Sequence, residues 1–593
     1  MLSWDLYKVG KMLKKLSKLN WFFKERAVIN IIALIILLIV NFITIAGPLV
    51  LGQAVDSISA GKITLELLFG YVYRLAALAV SEYILSCIWS YILFKNARIL
   101  EYRLSTYIMH KILKMPRTFF EKYGSGDLMN RASSDIEAVG TFSGFGLLAL
   151  FDAMFYLPLI LIVMSVRVSF ALTLYCTVPL TIVAVMTNFA GKYIYTFFVK
   201  QQEAGSNMSA KVLEYINGVR LVRAYVLEES SLKDFEESTK DVYEKTLKAE
   251  MVTASFWPVS NVFIAISYAI SLICGASLIS SKAITLGDMV TFNIYLSYLI
   301  WPMYAIGEFI NVAHRGAAST ERIYEVLEEE EEEKIHKGKL LKEELKDIKF
   351  ENYNFKYPGS EEVNLKNIDL HIKKGQTIGI AGRTGSGKTT LIRQLLQEYP
   401  KGEGKLLINE TDIESLLKPD LMKKTAYVSQ DNILFSGSIK DNILFGNESA
   451  TDKDLKKAIE LADLDRDIEA FTDKEDTLIG ERGVSLSGGQ RQRVAIARAL
   501  IKDADLLILD DCLSAVDAKT ENKIIKNIYE YRQGKTNIIT SHRLSVLVNA
   551  HKITVLEKGA ITEEGTHASL IDEDTWYAKQ YRIQELEEEE DDR

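Results

Sequence analysis

A glycine-rich loop at residues 382–390 has the residue types and spacing to hold the phosphates of a nucleoside triphosphate. It reads Gly382-Arg383-Thr384-Gly385-Ser386-Gly387-Lys388-Thr389-Thr390. The glycines let backbone N–H groups turn inward around the β- and γ-phosphates, the Lys388 ammonium adds a positive charge, and the Thr389 hydroxyl can ligate Mg²⁺. An ordinary Gly/Ser turn would not be expected to match at all of these positions. The loop therefore predicts a phosphate site with a bound Mg²⁺.

Two adjacent carboxylates, Asp510 and Asp511, follow an apolar run at 506–509. Such a run is typical of a buried parallel strand, and a carboxylate at its end can hold the Mg²⁺ of a bound nucleotide. Without the phosphate loop, a helix cap or a loop carboxylate would explain Asp510 equally well. With that loop in the same chain, Asp510 is predicted to be a metal ligand together with Thr389.

A second phosphate-binding pattern lies between these two segments. It reads Ser487-Gly488-Gly489-Gln490. Two glycines at the start of a predicted helix expose backbone N–H groups at the helix N-terminus, which favours an anion. The turn is therefore predicted to contact a phosphate of its own.

Strands and helices of an α/β domain must position these residues. A buried strand is predicted at 378–381, leading into the phosphate loop, and a helix is predicted to begin near Leu391. Another strand, at 537–540, precedes His542. A lone histidine is more often structural, but its place after this strand favours a functional residue.

The first half of the chain has a different composition, because nearly all of the long apolar runs lie before about residue 312. Six of these runs approach or exceed the ~20 residues that a helix needs to cross a bilayer. They are 27–51, 66–94, 141–166, 168–190, 252–279 and 286–310. A chain of 593 residues, 48% of them hydrophobic, is too long for one soluble domain.

The connections between these runs predict the orientation of the chain. The connections 95–140 and 191–251 are long and basic, whereas the others are short. Lys and Arg beside membrane helices favour the cytoplasmic side, so both long connections and both termini are predicted to lie inside. Because the basic residues flank membrane spans, no nucleic-acid partner is expected. The four cysteines are widely separated and match no metal-binding spacing.

Charge patterning supplies the domain boundaries. Lysines at helical spacing before residue 26 predict an amphipathic helix on the inner membrane face; a cleaved signal peptide is disfavoured by the length of the apolar run and the spans behind it. Acidic runs at 328–333 and 587–592 are interpreted as solvated segments. The predicted order is an amphipathic segment 1–26, a transmembrane domain 27–315, an acidic linker 316–345, a nucleotide-binding domain 346–584 and an acidic tail 585–593.

The phosphate loop, the 486–490 turn and the 506–511 segment resemble the motifs of ABC transporters, and the likeness extends along the whole chain. The implied fold is an α-helical six-span transmembrane domain of the ABC exporter type, fused to an α/β P-loop ABC nucleotide-binding domain. The implied cofactors are ATP and Mg²⁺. The resemblance implies that Tyr357 stacks on adenine, that Gln430 contacts Mg²⁺, and that His542 contacts the γ-phosphate. Ser487, Gly488, Gly489 and Gln490 would complete the ATP site of an opposite subunit.

Asp511 departs from the pattern, because similar proteins usually carry Glu there as the catalytic base. With the segments 301–308 and 513–521, this departure makes the chain resemble the degenerate-site subunit of heterodimeric bacterial multidrug ABC exporters. The resemblance implies a second, different half-transporter subunit, amphipathic small-molecule substrates, contact with membrane lipid, and the bacterial cytoplasmic membrane. An exporter of a specific lipid or peptide, and a mainly regulatory ATP-binding subunit, are the alternatives.

Two further sets of residues bear on transport. Segments 119–128 and 218–225 resemble the coupling helices that transmit ATP binding to the membrane helices. Within the spans, a charged group at the bilayer centre costs ~2.5–3.5 kcal/mol, so it should face a cavity or a partner. Asp152 is predicted either to attract cationic drugs or to make a structural contact. Trp301 and Glu308 are weaker substrate candidates, and Glu82 is interpreted as structural, with Arg74 as its suggested partner.

Overall fold

The computed structural model describes residues 11–12, 14–332, 338–341, 343–480 and 486–591. The chain divides into two units. The membrane unit is Met1–Ile112 with Gly126–Glu329, and the nucleotide unit is Leu113–Ser125 with Glu330–Arg593. The short segment 113–125 thus belongs with the nucleotide unit, although it lies within the first half of the sequence.

Helices form the first half of the chain. They are α1 Asn20–Glu25, α2 Ala27–Ser59, α3 Leu65–Ile112, α4 Arg117–Lys122, α5 Ser125–Ala132, α6 Ser134–Thr141, α7 Leu147–Phe151, α8 Leu157–Met164, α9 Phe170–Asn217, α10 Val219–Ala224, α11 Glu228–Ser280, α12 Leu286–Tyr298 and α13 Ile300–Glu328. Between α6 and α9, π-helical turns occupy Phe142–Gly146, Asp152–Tyr156 and Ser165–Ser169. At ~1.5 Å per residue, α3, α9 and α11 are more than twice as long as the ~30 Å bilayer core is thick. The long polar connections predicted from sequence are therefore continuations of these helices.

Five stretches of the described chain are long and apolar enough to cross a membrane, whereas six were predicted. They are Ala27–Ser59, Leu65–Ile112, Ser125–Val183, Glu228–Ser280 and Leu286–Glu328. The third stretch covers the predicted span 141–166 and much of 168–190. Ser169 divides it, because its backbone is extended (φ −167°, ψ 129°) and its hydroxyl accepts a hydrogen bond from the Leu172 N–H. The helices on the two sides of Ser169 correspond to the third and fourth predicted spans.

The N-terminal segment packs on the protein. Its apolar side chains belong to a buried cluster with α3 and α13, which includes Met12, Leu16, Leu19, Phe22, Leu100, Leu104, Ile108 and Ile323. Lys15 pairs with Glu321, and Lys18 lies 2.6 Å from Glu328. The apolar face is therefore covered by protein, and the location of this segment on the inner membrane face stays a prediction. Residues 1–10 lie outside the described chain.

The nucleotide unit contains two main sheets. The strands are β1 Asp347–Phe355, β2 Leu365–Lys373, β3 Thr377–Ala381, β4 Glu403–Ile408, β5 Thr411–Asp412, β6 Thr425–Val428, β7 Gly437–Ser438, β8 Leu478–Ile479, β9 Leu506–Asp510, β10 Thr536–Ser541, β11 Lys552–Glu557 and β12 Ala560–Gly565. The first sheet has the order β2-β1-β4-β5, and the second has the order β12-β11-β3-β10-β9-β6. Strands β11, β3, β10, β9 and β6 are parallel. Every residue of β3, β9 and β10 is buried. This is expected from the apolar runs of β3 and β9, whereas β10 also buries the polar residues Thr536, Asn537, Thr540 and Ser541.

The helices of this unit connect and cover the strands. They are α14 Lys388–Leu395, α15 Lys418–Lys423, α16 Ile439–Leu444, α17 Asp452–Leu461, α18 Asp465–Ala470, α19 Gly488–Leu500, α20 Ala518–Tyr531, α21 His567–Ile571 and α22 Trp576–Asp591. The register pairs Thr540 of β10 with both Ile380 of β3 and Asp510 of β9. The carboxyl ends of these three strands therefore meet at one edge of the sheet.

Two predicted boundaries differ from the observed elements. The acidic linker was placed at 316–345, but α13 continues to Glu328 because Ala317, Ile323 and Val326 still pack on its buried face. The acidic tail was placed at 585–593, but α22 continues to Asp591. Glutamate is a good helix former, so a run of glutamates does not by itself end a helix.

Candidate functional site

A cleft of about 310 Å³ opens where β3, β9 and β10 end. It is lined by Asn364, Thr384, Gly385, Ser386, Gly387, Lys388, Thr389, Thr390, Gln430, Asp511 and His542. All of these except Asn364 were named from the sequence as site residues. Asn364 lies just before β2 and matches no motif, so only the folded chain brings it to the cleft.

The backbone of the phosphate loop has the conformation that its glycines permit. Gly382, Gly385 and Gly387 have φ of 148°, 80° and 108°, a region that side-chain-bearing residues rarely adopt. A Cβ atom on Gly382 would lie 2.3 Å from the carbonyl oxygen of Leu556. Glycine is therefore required at this position for the chain to turn beside β11.

Lys388 begins α14 and is buried in the loop. Its Nζ donates hydrogen bonds to the carbonyl oxygens of Gly382 at 2.7 Å and Arg383 at 3.1 Å. Burial lowers the pKa of Lys388, and the nearby charges of Asp511 and Asp510 oppose that shift. The loop thus holds a desolvated ammonium where an anionic phosphate would stabilise its charge.

Asp510 ends β9 and is fully buried. Its carboxylate accepts hydrogen bonds from Thr540 Oγ1 at 2.7 Å, Thr389 Oγ1 at 3.2 Å and the Tyr427 hydroxyl at 3.4 Å. Burial raises the pKa of Asp510, and the hydrogen bonds from Thr540 and Thr389 oppose that shift. A divalent cation would favour the charged carboxylate in this environment.

The donor set at this edge of the sheet fits Mg²⁺. The Thr389 hydroxyl and the Asp510 carboxylate are adjacent, and Gln430 lines the same cleft. Mg²⁺ prefers oxygen ligands and commonly uses one or two protein groups together with substrate phosphates. Among the described residues, no cluster of three or more His, Cys, Asp or Glu side chains forms an all-protein metal site. The arrangement therefore suits a cation that arrives with a nucleotide.

Asp511 and His542 are hydrogen-bonded beside the phosphate loop, with Asp511 Oδ1 and His542 Nδ1 2.8 Å apart. Asp511 has φ of 47°, and its N–H donates to the Thr540 carbonyl oxygen at 3.1 Å. Burial opposes ionisation of Asp511, but the hydrogen bond from His542 and the positive charges of His542 and Lys388 lower its pKa. The same hydrogen bond raises the pKa of His542. The carboxylate is therefore ionised and held by the imidazole.

Tyr357 lies beside the cleft and contacts it through Thr390. Its hydroxyl is 3.1 Å from Thr390 Oγ1 and accepts a hydrogen bond from Arg393 at 3.3 Å. Its ring packs edge-on against Tyr399, with 4.9 Å between centroids. The structure thus places the predicted adenine-stacking residue next to the phosphate loop, with its ring partly covered by its neighbours.

The Ser487–Gln490 turn forms a separate surface. Ser487 caps α19, where its hydroxyl accepts from the Gln490 N–H at 3.2 Å and Gln490 Oε1 accepts from the Ser487 N–H at 2.9 Å. Gln490 also donates to Asp467 at 2.8 Å, and Arg493 pairs with the same carboxylate at 2.7 Å. Gly488 lines a neighbouring cavity of about 460 Å³ with Gln430, whereas Gly489 packs against Ala515. Ser487, Gly488, Gly489 and Gln490, called here the signature turn, are not among the described residues that line the phosphate cleft.

Helix α4 contains the start of the first predicted coupling segment and belongs to the nucleotide unit. Arg117 of α4 donates to Glu398 at 2.9 Å and to the Tyr399 hydroxyl at 3.2 Å, and the Tyr399 hydroxyl donates to Glu121. The second predicted segment forms α10, whose side chains are largely exposed. Tyr399 was missed from the sequence because a single tyrosine after a helix carries no motif.

The acidic residues predicted to lie within the membrane spans have different surroundings. Asp152 is buried at the start of a π-helical turn and accepts a hydrogen bond from Trp301 Nε1 at 2.9 Å. Asp152 is thus in contact with Trp301, one of the two weaker substrate candidates, whereas the other, Glu308, is exposed. Glu82 accepts from Thr44 Oγ1 at 2.9 Å. The suggested partner Arg74 is wrong, because it lies eight residues away on α3, about 12 Å along the helix axis.

Comparison with known proteins assigns both halves of the chain. The family model for the ABC transporter transmembrane region matches residues 30–303, and the ABC transporter model matches residues 365–514. A probable multidrug resistance ABC transporter ATP-binding/permease protein, YheI of Bacillus subtilis (strain 168), is 43% identical over 575 residues, which are 97% of this chain and 98% of that protein. The resemblance carried by segments 301–308 and 513–521 predicted this protein, also called BmrC, as a relative.

Two further matches extend over the whole chain. The multidrug resistance-like ATP-binding protein MdlA of Buchnera aphidicola subsp. Schizaphis graminum is 34% identical over 574 residues, covering 97% of this chain and 99% of that protein. A solved structure of a bacterial Atm1-family ABC exporter with ATP bound has a TM-score of 0.78 and 22% identity, covering 95% of this chain and 99% of that chain. The structural match supports the exporter fold.

Proposed function

Because the chain belongs to the ABC transporter family and is a multi-pass membrane ATPase coupled to transport, we propose that it is one subunit of a heterodimeric multidrug exporter. In this proposal it moves amphipathic drugs out of a bacterial cell across the cytoplasmic membrane. The nucleotide unit and both termini lie in the cytoplasm, as the basic connections predict. This chain supplies a slow ATP site and an intact signature turn for a different partner subunit.

The observation that carries the proposal is the geometry of Asp511. A general base must come within ~2.6–3.2 Å of the proton that it removes. Asp is one methylene shorter than Glu, so its carboxylate is withdrawn by about 1.5 Å. Here that carboxylate is also held by His542 at 2.8 Å. Since a misplacement of about 1 Å can lower a rate on the order of 10²-fold, this site should hydrolyse ATP slowly.

The signature turn supports a shared site. Ser487 and Gln490 form a complete capping box, so the first N–H groups of α19 are ordered at a surface apart from this chain's own phosphate cleft. Backbone N–H groups at a helix start favour a phosphate. In the proposed heterodimer they contact ATP held by the partner's phosphate loop, and that second site carries most of the turnover.

ATP and Mg²⁺ are the proposed ligands of the cleft. Lys388 and the loop N–H groups would hold the phosphates, and Thr389, Asp510 and Gln430 would hold the cation. His542 would contact the γ-phosphate, since it lines the same cleft as Lys388. The cation supplies charge neutralisation of the phosphates, while the protein residues orient them.

Two independent observations support the proposal that the transported substrate is a drug. The relatives YheI and MdlA carry multidrug resistance in their names. In the membrane unit, Asp152 and Trp301 place a carboxyl group next to an aromatic ring, and the ring centroid of Phe145 lies 6.3 Å from that of Trp301. A carboxylate with aromatic neighbours is suited to a cationic amphipathic molecule.

The first test concerns assembly. We expect the purified single chain, reconstituted in lipid, to show little ATPase activity and no dye transport. Coexpression with a partner subunit that carries Glu at the position matching Asp511 should restore both activities. The Lys388→Ala variant of the single chain gives the background rate. Drug-stimulated ATPase of the single chain well above that background would contradict the heterodimer.

A further inference from the structure

The C-terminal helix α22 lies along the nucleotide cleft. Trp576, in its first turn, lines a cavity of about 180 Å³ together with the phosphate-loop residues Arg383, Thr384, Gly385 and Ser386. Gln584 lies eight residues later, about 12 Å along the helix axis. At that point α22 contacts the backbone around His542. Helix α22 therefore borders both the phosphate loop and the backbone at His542.

The start of α22 is fixed to the strand that precedes it. The carboxylate of Glu563 on β12 accepts from the N–H groups of Trp576 at 2.6 Å and Tyr577 at 3.1 Å. A carboxylate at this position satisfies N–H groups that have no partner within the helix and interacts favourably with the helix dipole. Tyr577 is buried, and its hydroxyl is 2.9 Å from His567 Nδ1. The helix is thus held in one position relative to the sheet.

Gln584 connects this fixed helix to the segment 542–544 through both the nitrogen and the oxygen of its side-chain amide. Its Nε2 donates to the carbonyl oxygen of His542 at 2.8 Å, and its Oε1 accepts from the N–H of Leu544 at 2.8 Å. These two backbone groups lie on either side of Arg543, whose side chain pairs with the buried carboxylate of Glu521 at 2.7 Å. The segment after His542 is therefore held from two sides.

We propose that Gln584 is a positioning residue for His542, a role that rests on the nucleotide site proposed above. By fixing the backbone at His542 and Leu544, its amide keeps the imidazole beside Asp511 and directed into the cleft that holds the phosphates. A backbone shift of about 1 Å at a residue that contacts the reacting phosphate is enough to slow a reaction on the order of 10²-fold. The C-terminal helix is in this way part of the ATPase site, although it carries none of the family motifs.

The test is single-turnover hydrolysis of radiolabelled ATP by the purified, lipid-reconstituted complex over a range of ATP concentrations. The phase that belongs to this chain is the one that Lys388→Ala removes. Gln584→Leu, which loses both hydrogen bonds, should lower the saturating rate of that phase about tenfold, with the half-saturating ATP concentration changed less than about twofold. The phosphate loop and Tyr357 are unchanged in this variant, so binding should persist. Gln584→Glu keeps the oxygen that accepts a hydrogen bond from the Leu544 N–H, so its saturating rate should fall by only about threefold.

Gln580 provides the matched control. It lies one turn earlier on α22, is half-buried, and makes no side-chain hydrogen bond to the described residues. Gln580→Leu should leave both the rate and the half-saturating concentration unchanged. An unchanged rate in Gln584→Leu, or an equal loss in Gln580→Leu, would overturn the proposal. If the unsubstituted complex shows a single kinetic phase, the two ATP sites are equivalent and the proposed function is contradicted. The saturating rate of that one phase would then be compared between Gln584→Leu and Gln580→Leu.

Discussion

Asp510 in the nucleotide unit and Asp152 in the membrane unit are both buried acids, but their neighbours satisfy them to different degrees. Asp510 accepts hydrogen bonds from Thr389, Thr540 and Tyr427, which come from a helix and two strands. Asp152 accepts one hydrogen bond within the described chain, from Trp301. An ionised carboxylate offers about four acceptor positions, so Asp152 has unused capacity and Asp510 has little.

Under the proposed function, this difference suits the two acids to different kinds of ligand. At Asp510 each contact is fixed by a strand or by the helix after the phosphate loop, so the site suits one kind of group in one geometry, as a metal with a phosphate requires. At Asp152 the polar contact is sparse and the surroundings are aromatic, so molecules of different shape can satisfy the same carboxylate. A precise energy-converting site and a permissive transport site are expected to differ in this way. The predictions below test the contrast, from the largest expected effect to the smallest.

Ser487→Arg should have the largest effect. In the heterodimer it should reduce steady-state ATPase activity at least about tenfold, because a bulky cation replaces the N-cap where a phosphate must approach α19. This chain's own phosphate loop is unchanged. Thr451→Arg is the matched control, since Thr451 forms the same kind of capping box at the start of α17 and is exposed. Loss of activity in both variants would mean that the damage lies in helix capping rather than in the signature surface.

Asp152→Asn should have an intermediate effect that depends on substrate charge. We expect export of cationic dyes to fall about fivefold and export of neutral dyes to fall less than about twofold, since only the charge is removed. Dye efflux from vesicles measures both, and ATPase activity without dye checks folding. Glu308→Gln removes the same charge at an exposed site on α13 and should not discriminate between the dyes. Equal losses for both dyes in Asp152→Asn would make the Trp301 contact structural.

Most residues of the predicted nucleotide site come together in one cleft, and they could be named from the sequence because they lie in short local patterns. Asp510 ends a strand, and Lys388 and His542 each follow one at a short distance in sequence. Parallel strands bring such ends together. Asn364, Tyr399 and Gln584 were missed because they reach the site only through tertiary packing. The suggested Arg74–Glu82 pair failed for the same reason: it was chosen along one helix, whereas the actual partner Thr44 is on another.

Asp511→Asn should have the smallest effect, and it is the most decisive for the two sites. If this chain's site is already slow, removing the charge of its base should lower steady-state ATPase activity of the heterodimer by no more than about twofold. Replacing the partner's catalytic Glu by Gln should nearly abolish activity, because that base serves the productive site. Each variant replaces one carboxylate by an amide of nearly the same size, so the two changes are matched in size and charge.

Asp511→Asn also removes the charge next to His542, whose pKa is raised by the hydrogen bond to Asp511. The protonated imidazole should therefore lose its stabilisation, and any remaining activity of this site should shift its pH dependence toward lower pH. If Asp511→Asn proves as damaging as loss of the partner's Glu, the two sites are equivalent, and Asp511 is a working base despite its shorter side chain.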